Sequence, residues 1–324
     1  MRYQVVIALL AVSVCFAQTR NGLIKSALDG DGRSQLSLGE LYLTEENYKE
    51  AFRFYRMAAD QGLKEAQYAL GNMYRYGQGT GQDYKEAVLF YKLAAAQGLP
   101  EAQFNLGVMY DNGHGVSQDY NEAAHWYRVT ADKGMADAQY NLGLMYANGK
   151  GVKQDYKEAA HWYRLAADQR HMPEAEFNLA VMYDSGQGVE QDYKQAAHWY
   201  ELAADQGYAQ AQFNLALMYT NGQGFDRDDQ KAFHWFRLSA EQGQPEAASN
   251  VGVMYVNGQG VAKDYVEALK WLSVAVSEGD KDSEEARDQV AARLTPEQIE
   301  KAKQDATAWK PCQAKPDCDG RVKQ

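Results

Sequence analysis

The stretch that decides the fold is Ala102-Gln103-Phe104-Asn105-Leu106-Gly107-Val108-Met109-Tyr110, followed by Gly113-His114-Gly115-Val116 and then Asp119-Tyr120-Asn121-Glu122-Ala123-Ala124-His125-Trp126-Tyr127. Pro100-Glu101 opens a helix, because Pro is tolerated in a first turn and Glu suits the positive end of the helix dipole. Ala102, Leu106, Met109 and Tyr110 keep helical spacing. Gly113-His114-Gly115 breaks the helix, since Gly reaches positive φ without steric penalty. Asp119 is the expected N-cap of a second helix, with Glu122 placed for a capping box. Tyr120, Ala123, Ala124, Tyr127 and Ala131 form its apolar stripe, and Lys133-Gly134 ends it. The same Asp/acid or Asp/amide pairing returns at Asp83/Glu86, Asp155/Glu158, Asp192/Gln195 and Asp264/Glu267.

Working outward, Met-Tyr recurs at 73–74, 109–110, 145–146, 182–183, 218–219 and 254–255. The period is 36, broken once by a 37 where Gln169-Arg170-His171-Met172-Pro173 carries one extra residue. A fixed period of this size means a stack of supersecondary units rather than separate compact domains. The chain has 324 residues with 28 Gly, 23 Tyr and 6 Pro. Helices joined by Gly-containing turns account for that mixture. Hydrophobic residues make up 45%, enough for a core and too many for a disordered chain. The net charge of −11 lacks the footprint of a nucleic-acid binder and tilts toward a basic partner.

These residues resemble the Sel-one-like (Sel1-like) repeat, a slightly longer relative of the tetratricopeptide repeat. The resemblance runs from about Ala66 to Gly279. A trimmed unit precedes it at Ser34 to Tyr42 and Tyr48 to Tyr55, without the Gly-x-Gly turn. It implies an all-α fold, a right-handed α-α superhelical solenoid of stacked helix-turn-helix repeats. The expected organisation is a signal peptide over 1–17, an N-terminal cap over 18–33 and seven repeats over 34–282. C-terminal cap helices over 283–310 and a tail over 311–324 complete it. Thr295-Pro296-Glu297-Gln298 is a helix start with a capping box.

Met1 to Gln4 carries one positive charge, and Val5 to Phe16 is apolar apart from Ser13. Cys15 and Ala17 stand at −3 and −1 of a cut after Ala17, as in a secretory signal peptide. An uncleaved anchor and a lipoprotein signal at Cys15 are the competing readings, although Val14 stands where the latter takes a small residue. The run of about a dozen residues is short of the roughly 20 that span a bilayer, so the mature protein is not expected to be membrane-spanning. Export, to the periplasm or the medium, is the expectation. In an oxidising compartment Cys312 and Cys318 would close a small disulfide loop. The tail has no His and no Cys-x-x-Cys, which speaks against a metal site there.

Catalytic patterns are absent from the sequence. It holds no Walker-type phosphate loop, no His-Glu-x-x-His, no Ser-x-x-Lys and no Gly-x-Ser-x-Gly. Gly77-Gln78-Gly79-Thr80-Gly81 follows a helix and reads as a turn. His125, His161, His198 and His234 are equivalent positions about one repeat apart, too far to share one ion, so neither metal nor cofactor is expected. Cysteine-rich relatives carry a disulfide in each repeat and are linked to penicillin binding. No repeat here contains cysteine, so that role does not transfer.

By the resemblance, first helices line a concave surface. Asn105, Asn141, Asn178, Asn214 and Asn250 recur there, and an amide can serve either an extended peptide backbone or an interhelical bond that fixes stacking. Val108, Leu144, Val181, Leu217 and Val253 lie three residues on, as groove lining or inter-repeat contacts. Arg75, Asp111, Ala147, Asp184, Thr220 and Val256 vary, as recognition requires and as a neutral surface also allows. The expected function is an exported, non-catalytic scaffold that holds a protein or peptide. The alternative is an envelope factor binding or acting on peptidoglycan or polysaccharide. Gly71, Gly107, Gly143 and Gly252 share one position, replaced only by Ala180 and Ala216, which predicts close helix packing there.

Overall fold

The computed structural model describes residues 20–170 and 172–311. The leader, with its cut after Ala17, and both Cys312 and Cys318 lie outside the described residues. Two compact units divide the chain, Met1–Gln154 and Asp155–Gln324. Among the described residues regular structure is helical throughout, with no strand.

In the first unit a helix over 20–28 (α1) precedes α2 (Gly32–Thr44), α3 (Tyr48–Asp60), α4 (Lys64–Tyr76), α5 (Tyr84–Ala96), α6 (Pro100–Asn112), α7 (Tyr120–Ala131) and α8 (Ala136–Asn148). The second unit holds α9 (Tyr156–Arg170), α10 (Pro173–Ser185), α11 (Tyr193–Asp205), α12 (Ala209–Asn221), α13 (Asp229–Glu241), α14 (Pro245–Asn257), α15 (Tyr265–Ser277), α16 (Ser283–Ala291) and α17 (Pro296–Ala308). From α2 to α8 and from α9 to α16 each helix packs on the next, and α17 packs back on α15. The extra residue near 170 is absorbed by helix rather than by a turn. α9 runs to 15 residues where α11 has 13, because Arg170 stands where the other second helices are followed by Gly.

Caps set the helix starts. Asp119 accepts hydrogen bonds from the amides of Asn121 and Glu122, and Asp83, Asp192 and Asp264 do the same in their repeats. The capping boxes expected at these pairs do not form, because the backbone amide of each aspartate already donates to the preceding helix, Asp119 to the Tyr110 carbonyl at 3.0 Å. Thr295 with Gln298 makes a complete box. First helices from α4 onward end on a left-handed glycine, Gly113 at φ 68° in α6, whereas α2 ends on Glu45 at φ −84°. Just before the next cap, the Gln118 side chain donates to the Asp111 carbonyl at 2.7 Å and ties the turn back to the helix it leaves.

Gly115, at φ 72°, does something different. A Cβ there would sit closer than 3.0 Å to the Tyr84 carbonyl group at the start of α5, one repeat earlier. The first glycine of the turn therefore ends a helix, and the second lets two repeats touch backbone to backbone.

Alanine and tyrosine dominate the core. Ala87, Tyr91, Ala94, Ala102 and Leu106 are all buried at 0–1% exposure, so α5 and α6 approach closely. The shared glycine position makes room for the paired second helix. A Cβ on Gly71 would meet the Tyr91 ring at 2.6 Å, on Gly107 the Tyr127 ring at 3.0 Å, and on Gly252 Leu272 at 2.7 Å. Gly71→Leu is accordingly expected to destabilise by about 3 kcal/mol through overpacking. A thermal midpoint equal to that of the unaltered protein would refute this packing.

A buried polar ladder runs through the repeats. In the second unit, Gln212 (4% exposed) donates to the Ala204 carbonyl at 3.1 Å and accepts from Gln242 at 2.7 Å, joining α11, α12 and the end of α13. In the first unit Gln103 donates to the Ala95 carbonyl at 3.1 Å and accepts from Lys133 at 2.7 Å. Glu176 takes the position in α10, where Gln206 donates to it at 2.6 Å.

Candidate functional site: the first-helix face

Because second helices bury their aromatic stripe against first helices, the side chains at the Asn105, Val108 and Asp111 positions emerge together on the other side. In the first unit Asn105 is half-buried. Its amide nitrogen donates to Asn72 at 3.3 Å and its oxygen accepts from Arg75 at 3.5 Å. Asn72 also accepts from the Tyr91 hydroxyl at 2.8 Å. Asn141 lies half-buried beside the Tyr127 hydroxyl, which donates to Asp111 at 3.3 Å. In the second unit Asn214 donates to the Tyr200 hydroxyl at 3.0 Å, Asn250 turns back onto the Glu246 carbonyl at 2.8 Å, and Asn178 is half-buried.

Much of the asparagine row is thus engaged within the protein. These amides position the face and retain only part of their hydrogen-bonding capacity for a partner. Val108, Leu144, Val181 and Leu217 are half-buried, and Val253 is 39% exposed. The four histidines sit elsewhere. His125, His161, His198 and His234 are exposed on second helices, each edge-on to its neighbouring Trp at 5.0–5.2 Å.

Bases are confined to α2 and α4 among the first helices, as Arg33, Lys64 and Arg75. First helices α6, α8, α10, α12 and α14 contain no lysine or arginine, yet carry Glu101, Asp111, Asp137, Glu174, Asp184 and Glu246 besides the ladder residue Glu176. Second helices supply bases such as Lys92, Arg128, Lys194 and Arg237. Asp184 is partly desolvated, and burial raises its carboxyl above the usual range.

Burial is the first cause that pushes up the phenols beneath this face. Tyr55 rises to about 12, and Tyr91, Tyr127 and Tyr200 rise further. Each stays neutral when folded but ionises near its ordinary value of about 10 when unfolded. Stability is therefore intact below about pH 10 and falls as pH climbs beyond it, because only the unfolded chain readily releases these protons. The thermal midpoint should drop steeply above that pH. Tyr200→Phe should flatten the decline, and an unchanged slope would contradict the assignment.

Within each unit, helix pairs contact mainly their sequence neighbours, and the conserved-looking elements are turn, cap and ladder. That defines the class, an α-helical repeat array of helix-turn-helix units. The chain belongs to the Sel1 repeat family, whose model matches residues 32–63, 64–99, 100–135, 136–171, 173–208, 209–244 and 245–280. Among solved structures it is similar to a Sel1 repeat protein from Oxalobacter formigenes, at 32% identity and a TM-score of 0.64, covering 74% of this chain and 96% of that one. It is also similar to c5321, a protective antigen of uropathogenic Escherichia coli strains with an SLR fold. The identity is 26% and the TM-score 0.47, over 90% of this chain and 94% of the other. No curated protein matches the chain. Arrays of this family are generally protein–protein interaction scaffolds and typically non-catalytic. Among the described residues no helix is long and apolar enough to cross a membrane.

Proposed function

We propose that this chain is an exported, non-catalytic scaffold that captures a protein or peptide on its first-helix face, and that the captured segment is basic. The division of charge carries this reading. In the second unit exposed Glu174 and Glu246 stand at the starts of α10 and α14, in the first unit Glu101 takes the same place on α6, and no lysine or arginine on those helices competes with a cationic partner. Half-buried Val108, Val181 and Leu217 supply apolar contact beside them. Export rests on the leader read from the sequence.

Crosslinked pull-down from the native envelope or medium tests it. The unaltered chain should recover a protein partner, and the triple variant Glu101→Arg, Glu174→Arg, Glu246→Arg should lose it. Equal recovery by both would move the interaction off this face. Retention on isolated cell-wall material with no protein recovered would favour the polysaccharide reading instead.

A further inference from the structure

In the first unit, a cavity of about 280 Å³ opens between α2 and α4, with α3 behind it. Tyr55 of α3 lines its floor and is 2% exposed, held with its ring against Gly39. Its hydroxyl makes no hydrogen bond among the described residues. The equivalent hydroxyls of Tyr91, Tyr127 and Tyr200 are engaged, with Asn72, Asp111 and Asn214 respectively. The Tyr55 oxygen is not sealed from solvent as Trp126 Nε1 and Trp199 Nε1 are, so it opens on the cavity with its hydrogen-bonding capacity unspent.

The walls say what that would be. Leu36, Leu43 and Tyr68 give half-buried apolar sides. Glu40 and Glu65 stand exposed at the rim, and neither forms an ion pair among the described residues. Glu40 occupies the place that Asn72 holds in the next repeat, where an amide answers the tyrosine. Here two carboxylates replace that answer, and they reject any anion.

We infer that this cavity is a receptor for one lysine or arginine side chain of an extended partner segment. The aliphatic stem lies along Leu36, Leu43 and Tyr68, and the cation meets Glu40 and Glu65, as long basic side chains bury stem and head separately. The neutral Tyr55 oxygen accepts an N–H from the cation. Charge-assisted bonds of this kind are the strong ones, and two carboxylates around one cation orient it. The inference rests on the first-helix face being the interaction surface, and it specifies what the first unit reads there.

The test uses the full chain and short blocked peptides, Ala-Ala-Arg-Ala-Ala and its lysine, citrulline and glutamate counterparts. Binding is followed by amide shift changes in α2 and α4. The arginine and lysine peptides should bind with shifts confined to the cavity, and the neutral citrulline peptide should bind about tenfold more weakly. The double variant Glu40→Gln, Glu65→Gln should lose about tenfold for arginine and little for citrulline. Tyr55→Phe removes only a hydroxyl and should weaken arginine binding several-fold with the melting temperature preserved. Asp282→Asn, just before α16, should change nothing. Arginine binding no tighter than citrulline, or unaffected by the glutamine variants, overturns the inference. If partner capture still depends on Glu101, Glu174 and Glu246 in that event, the face reading stands and only the cavity assignment falls.

Discussion

Replacing Gly115 with alanine is expected to lower unfolding stability by about 3 kcal/mol, against about 1 kcal/mol for Gly98→Ala. Both glycines have positive φ, at 72° and 81°, so both substitutions carry the left-handed penalty. Only at Gly115 does the added Cβ run into the Tyr84 carbonyl group, a backbone group that no rotamer change can move, whereas Gly98 faces open space. The difference between the variants isolates the contact between repeats. Neighbour coupling should spread the damage, because each repeat is stabilised by the interface to the next. Urea unfolding of the two variants measures it. Equal losses would mean that the turn is local and that the two repeats do not depend on this contact.

The second large effect is expected at the ladder. Gln212→Leu keeps the volume roughly constant but removes the donor to Ala204 and the acceptor for Gln242, at a site 4% exposed. The Gln242 side-chain amide loses its acceptor while the Ala204 carbonyl keeps the backbone amide of Gly207, so the expected cost is about 1–3 kcal/mol. Gln210→Leu, on the exposed side of the same helix, should stay within about 0.5 kcal/mol. Gln212→Glu retains the acceptor and loses the donor, so it should fall between them, as the Glu176–Gln206 pair at the equivalent site shows to be tolerable. A Gln212→Leu loss no larger than that of Gln210→Leu would show that the ladder contributes nothing to stacking.

Much of this was legible without coordinates. The Met-Tyr period of 36 is a plain repetition of letters, the Gly113 and Gly115 turn and the Asp119 cap are relations within a few residues, and each produces the expected element. The Thr295 box forms because the Thr295 backbone amide is free to donate to Gln298. At Asp119 the box is absent because that amide already donates to the Tyr110 carbonyl of the preceding helix, a contact the sequence does not reveal. Gln103 was visible as a repeated letter beside Ala102, yet its role was not, since a glutamine in a helix reads equally as surface. By sequence the asparagines suit either peptide binding or stacking, and the structure shows Asn105 and Asn214 bonded to neighbours in their own units.

By itself the sequence determined the helices, their caps and the repeat, because those follow from backbone conformations and spacings of three to four residues. Only the tertiary structure decided which groups meet across a repeat, such as Gly115 with Tyr84 and Gln212 with Gln242, the latter 30 residues apart. It alone distinguished Tyr55 from Tyr91, identical in pattern and unlike in partner. The reason is physical. A hydroxyl is satisfied or not according to what the adjoining helix places within about 3 Å of it, and no local propensity encodes that distance.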